Sequence, residues 1–117
     1  MKNPVTIGTW DENDLICIIT VEKEDVERAF ECINEGIDMW YAAAHDDEDD
    51  IEYPNDWDKD DWIGVNENGE EINYLYYSIH NEAVSYLLDK RNIEYIFEYD
   101  MMEECDPDIL GNKVIWG

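Results

Sequence analysis

Two serines, Ser78 and Ser85, and two histidines, His45 and His80, are the only residues from which a serine nucleophile and its imidazole base could be assembled in this 117-residue chain. A triad also needs a strained turn to present the nucleophile and a carboxylate to orient the base. No nucleophile elbow, glycine-rich phosphate cradle or HExxH helix accompanies these residues. Carboxylates number 32, so many that any two could be posed as an acid–base pair. No catalytic residue is assigned, and the chain is read as a protein other than an enzyme.

Metal chemistry has one pattern to offer. Asp56, Asp58, Asp60 and Glu67 stand at positions 1, 3, 5 and 12 of a calcium loop, with Ile63 at position 8. Position 6, where that loop turns on a glycine, holds Asp61, and the flanking segments read as loop and strand where helices are required. The set is an incomplete candidate, so no metal and no cofactor are assigned. Cys17, Cys32 and Cys105 are odd in number and widely spaced, without a CxxC. They are read as buried free thiols.

A different chemistry is carried by residues 45–61, HDDEDDIEYPNDWDKDD. Ten carboxylates (Asp46, Asp47, Glu48, Asp49, Asp50, Glu52, Asp56, Asp58, Asp60 and Asp61) face a single Lys59, a local charge of −9. Like charges at this density destabilise a compact state unless solvent or a positive partner compensates them. Tyr53, Trp57 and Trp62 interrupt the run, and exposed indoles anchor interfaces. These thirteen side chains, ten acidic and three aromatic, form the candidate partner-binding set. The acidity extends beyond them: the whole chain has 7 Lys and Arg against 32 Asp and Glu, a net charge of −25, of which −16 lies outside the run. Nucleic acid and anionic membranes repel such a protein, and basic proteins attract it.

The elements that must position this surface follow from periodicity. Residues 5–10 (VTIGTW) and 15–21 (LICIITV) are β-rich and can form a hairpin; the second, nearly unbroken run suits a central strand covered on both faces. Val26, Phe30, Ile33, Ile37, Trp40, Tyr41 and Ala44 recur at helical spacing, with acids at the N-terminal end where the helix dipole favours them. Gly36 inside that helix marks a kink or a close approach. Residues 62–65 and 70–79 read as a hairpin about Asn68-Gly69, although Ile72, Leu75, Ile79 and Ala83 also fit a helical period. A second helix runs from about His80 to Arg91, and Ile93, Tyr95, Phe97 and Tyr99 alternate in a strand broken only by Ile96. Residues 113–116 add a further edge.

The order β-α-β-β-α-β predicts a single α+β domain over residues 1–117. Its expected form is an antiparallel, ferredoxin-like sheet with two helices on one face, extra terminal strands and a long acidic crossover loop. The expected core is Ile16, Ile18, Val26, Phe30, Ile33, Ile37, Leu87, Ile93 and Phe97. No signal-peptide h-region and no stretch of eighteen apolar residues is present, so a cytoplasmic location is expected, that of the host cell if the gene is a phage's.

In size, charge and aromatic interleaving the chain resembles, as a class, the small acidic DNA mimics with which phages and mobile elements block restriction or CRISPR enzymes. The resemblance rests on residues 45–61 and the acidic faces of the two helices. Phosphates recur about every 3.4 Å along a DNA strand. The carboxylates of a fully extended run come about every 6 Å, and folding brings them closer. The resemblance implies a basic nucleic-acid-binding protein as partner, such as a nuclease, CRISPR effector, restriction enzyme or toxin, without direct contact to nucleic acid or membrane. An immunity protein that neutralises a basic nuclease toxin is the alternative, and a calcium-binding or generic acidic interaction domain a further one.

Overall fold

Two runs of β-branched residues at the start of the chain pair with each other before any distant segment is needed, and the remaining sheet grows on that hairpin. In the computed structural model, which describes residues 1–11, 14–44, 53–78, 80–99 and 114–116, the elements are β1 (Pro4–Asp11), β2 (Asp14–Glu22), α1 (Val26–Ala44), β3 (Ile63–Val65), β4 (Glu71–Asn73), α2 (His80–Lys90), β5 (Tyr95–Tyr99) and β6 (Val114–Trp116). Short 3-10 turns occupy Lys23–Asp25, Lys59–Trp62 and Tyr74–Tyr77. The fold is α+β, with a four-stranded sheet in the order β5-β2-β1-β6.

β2 pairs antiparallel with β1 on one side and with β5 on the other, while β6 pairs parallel with β1. The sheet is therefore mixed where an antiparallel one is expected from sequence. Nor is the ferredoxin-like order found among the described residues. β3 and β4 pair only with each other, in a two-stranded sheet of their own. Both flanks of β2 are already taken by β1 and β5, so no central position is left for them. β4 is also shorter than the run 70–79 suggests. The Asn73 side chain accepts the Leu75 N–H at 2.9 Å, which ends the strand and opens the 3-10 turn Tyr74–Tyr77.

The unbroken apolar run of β2 does mark a central strand closed on both faces: Ile18 and Ile19, which point to opposite sides, are both fully buried. The main core nevertheless takes the other parity from the one expected. Cys17, Ile19 and Val21 join Ile7 in the cluster that packs against the helices, and Ile18 lies outside it. The pairing jumps from Thr9↔Cys17 to Trp10↔Leu15, leaving Ile16 as the extra residue of a bulge. A bulge shifts alternation by one position, which sequence periodicity cannot register. Of the other expected core residues, Ile33, Ile37, Leu87 and Ile93 are buried in the cluster, and Val26, Phe30 and Phe97 pack half-buried against it. On β5, Tyr95 and Phe97 meet the core while Ile96 is exposed, as the broken alternation predicts.

α1 and α2 cross closely at Gly36. A Cβ there would stand 2.9 Å from the Val84 N and 3.0 Å from its Cα, so the glycine is the close approach that its place in a helical pattern signals. α2 ends in a Schellman motif: Asn92 takes φ +56°, its N–H reaches the Asp89 carbonyl at 3.1 Å, and the Ile93 N–H reaches Leu88 at 2.9 Å. Arg91, the last residue before that turn, is thereby held against α1. Cys17 and Cys32 are buried free thiols, and burial pushes Cys17 up to about 12. Cys105 lies outside the described residues. No helix among the described residues is long and apolar enough to cross a membrane.

Candidate partner-binding surface

Residues 53–62, the second part of the acidic stretch, fold back onto α2. The backbone turns at Pro54, whose carbonyl accepts the Trp57 N–H at 2.9 Å, and then enters the 3-10 turn Lys59–Trp62. Asp58 caps that turn, its Oδ1 accepting the Asp60 N–H at 3.0 Å.

Three aromatic residues of the stretch gather around Tyr86 of α2. Trp57 and Trp62 are parallel at 5.4 Å between ring centroids, Tyr86 stands edge-on to Trp57 at 4.7 Å and to Trp62 at 5.4 Å, and Tyr53 leans on Trp57 at 5.9 Å. Trp57 is 7% exposed and belongs to the core cluster. This corrects the reading of Trp57 as an exposed indole: burying it against three rings removes more apolar area from water than an open loop could. Its Nε1 and that of Trp62 are buried without a hydrogen-bond acceptor.

The carboxylates around this group are engaged from inside. Arg91 forms a bidentate pair with Asp56, Nε to Oδ2 at 2.8 Å and Nη2 to Oδ1 at 3.1 Å; its Nη1 pairs with Glu35 of α1 and donates to the Cys32 sulfur at 3.4 Å. The guanidinium hydrogen bond holds Asp56 below the usual carboxylate range and raises Arg91 in turn. The Tyr86 hydroxyl donates to Asp61 at 2.7 Å and accepts the Asp58 N–H at 3.1 Å. Burial and then the Asp61 contact raise the phenol. Lys90 pairs with Asp61 at 3.7 Å and lies 5.5 Å from the Tyr86 ring centroid.

Of the sequence-predicted set, then, Tyr53, Asp56, Trp57, Asp58, Asp61 and Trp62 are brought together by α2, and Asp60 stands exposed beside them. Asp46, Asp47, Glu48, Asp49, Asp50 and Glu52 lie outside the described residues, as does His45. The calcium pattern is not gathered: Asp56 is committed to Arg91, Asp58 to its cap, and Glu67 sits in the β3–β4 turn. No cluster of three potential metal ligands occurs among the described residues. Ser78 donates its hydroxyl to the Leu75 carbonyl at 2.8 Å and Ser85 to that of Glu82 at 3.1 Å.

Sequence reasoning missed Tyr86, Glu35 and Arg91 as members of this cluster. The available signal was scarcity: seven cations among 32 acids are each apt to be spent on a specific contact. Three are. Arg28 bonds Asp25 and the Arg91 carbonyl, Lys90 meets Asp61, and Arg91 meets Asp56 and Glu35. On the outer face of α1, Glu27, Glu31 and Asp38 are exposed, and among the described residues no cation pairs with them. Glu27 and Glu31 are one turn apart, about 6 Å along the axis, and Asp38 is about 10 Å further on. Comparison with protein-family models, with curated proteins and with solved structures gives no match.

Proposed function

We propose that this protein is a stoichiometric inhibitor that occupies the basic nucleic-acid-binding surface of a target enzyme, in the manner of an anti-restriction or anti-CRISPR protein, and that it acts in the cytoplasm. The observation that carries the reading is a net charge of −25 in which Arg28, Lys90 and Arg91 are spent on contacts within the chain, while Glu27, Glu31 and Asp38 line the outer face of α1 with no cation pairing with them among the described residues. Residues 46–52 supply six of the carboxylates in that charge. A basic cleft built for phosphates attracts such a carboxylate array through the same long-range field that draws its nucleic acid. Nothing in this chemistry requires the inhibitor to perform a reaction.

The test is competition. Immobilised protein should retain a nucleic-acid-handling enzyme that added duplex DNA releases, and the protein alone should not shift a labelled duplex. Replacing Asp46, Asp47, Glu48, Asp49 and Asp50 together by their amides should slow association and flatten its salt dependence, because steering acts on encounter. A partner that binds DNA and this protein at once and independently would overturn the proposal. Loss of endonuclease activity in a restriction or CRISPR enzyme marks the anti-defence role, and loss in a toxin nuclease marks immunity.

A further inference from the structure

The buried Trp57 leaves the acidic stretch without the exposed aromatic anchor that a long-lived complex needs, and a different element presents one. Tyr74 and Tyr77 open and close the 3-10 turn after β4 and are 45% and 69% exposed. Side chains three apart on a 3-10 helix eclipse, so the two tyrosines share one face of the turn. Leu75 between them points inward and is fully buried.

The turn is fixed at both ends. Asn73 caps it, Ser78 closes it through its hydroxyl and its N–H to the Leu75 carbonyl, and the Trp40 indole of α1 donates to the Ser78 carbonyl. Beneath it lies Gly64 of β3, where a Cβ would collide with the edge of the Tyr74 ring at Cε2. A side chain at that position would lift the tyrosine away, so the glycine lets the ring lie directly on the strand. Along the same hairpin Glu67, Glu70 and Glu71 are exposed, and residues 63–78 contain no lysine or arginine.

We infer that the Tyr74–Tyr77 face is a docking platform for arginine side chains on a basic protein partner. Guanidinium groups stack on tyrosine rings and pair with carboxylates through a planar fork, which an ammonium matches less well. The inference rests on the inhibitor reading and deepens it: carboxylates elsewhere steer the encounter, and this face holds the partner. Clefts that grip phosphates are rich in arginine for the same bidentate geometry.

Titration of the purified full chain with nona-arginine and with nona-lysine at equal ionic strength tests the platform. Nona-arginine is expected to bind more tightly, by about two- to fivefold for each guanidinium that stacks. In Tyr74→Ala/Tyr77→Ala that ratio should fall at least about twofold, with nona-lysine affinity and the salt slope unchanged because the charge is unchanged. Tyr77→Ala alone, at the more exposed ring, should lower the ratio part-way, and Tyr74→Phe/Tyr77→Phe should keep it. Equal affinities of the two peptides for the parent chain, or an unaltered ratio in the alanine variants, would overturn the platform. If the alanine variants still compete with duplex DNA for a partner while their peptide ratio is unaltered, only the platform fails. A tyrosine-dependent ratio in a protein that competes with no nucleic acid leaves the platform in place and removes the inhibitor reading.

Discussion

Replacing Trp57 separates a core residue from an interface anchor. At 7% exposure the indole has lost nearly all contact with water. A tryptophan buries roughly 150–250 Å². At about 25 cal/mol per Å² that is about 4–6 kcal/mol, an upper bound because unfolded chains bury some of this surface and alanine keeps a methyl group. The lost contacts with Tyr53, Trp62 and Tyr86 add to it, and collapse of the 53–62 segment into the gap subtracts. Trp57→Ala should therefore cost about 3 kcal/mol, a fall in Tm of roughly 12 °C at about 4 °C per kcal/mol for a chain of this size. Trp57→Phe should stay within about 1 kcal/mol of the parent. It loses part of the apolar area but also removes an N–H buried without an acceptor, whose desolvation costs about 1–3 kcal/mol. Urea unfolding followed by far-ultraviolet circular dichroism gives both values without relying on the altered fluorophore. An alanine variant within 0.5 kcal/mol of the parent on the order expected for surface sites would refute the packing argument.

Gly36→Ala gains about 1 kcal/mol of helix propensity but sets a methyl against the Val84 backbone, which cannot rotate away. A net loss of about 1–2 kcal/mol is expected by urea unfolding, and a net gain would show that the helices part freely. For Asp56, whose pKa is lowered by Arg91, the stabilisation is present above the ordinary carboxylate value and lost as pH falls through the depressed one. The stability difference between the parent and Asp56→Asn should thus be constant near neutrality and close below pH 3.8; a difference that widens in acid would contradict the ion pair. Asn92→Gly should raise Tm by a few degrees, since Gly occupies the left-handed position of a Schellman turn without a Cβ penalty.

Much of this fold could be read from local pattern. Residues 15–21 announce a doubly buried strand, Ile96 an outward residue, and Asn68-Gly69 a tight turn, in which Gly69 adopts φ +77° and the Asn66 side chain accepts the N–H groups of Asn68 and Glu70. What could not be read is non-local. The parity of β2 rests on its register with β1, where Ile19 stands opposite Ile7 and Val21 opposite Val5, and a register belongs to a pair of strands and not to either one alone. β3 and β4 lie apart from the main sheet, where β5 and β1 occupy the two flanks of β2, and β6 takes the other edge of β1 in parallel. Trp57 misled for a related reason. Its neighbours in sequence are charged, so it reads as exposed, but its neighbours in space are Trp62 and Tyr86, the latter supplied by a helix 29 residues away.

Electrostatics divides the acidic stretch into two parts with different work. Residues 53–62 hold four carboxylates and Lys59, and the structure sets Lys90 and Arg91 against them with Glu35 sharing Arg91, so this part with its partners carries a charge of only −2. Residues 46–52 hold six carboxylates and no cation. Solvent-exposed ion pairs such as Lys90–Asp61 contribute little alone, but the Arg91 fork joins α2 to both Asp56 and Glu35 and so fixes the stretch at its root. A folded segment of nearly balanced charge avoids the repulsion that an unpaired acidic run would impose on it. On the inhibitor reading the consequence is a separation of phenotypes. Changes at Asp56, Trp57 or Arg91 act on stability first and on binding through it, whereas changes within 46–50, at Glu27 and Glu31, or on the Tyr74–Tyr77 face act on binding while the fold persists.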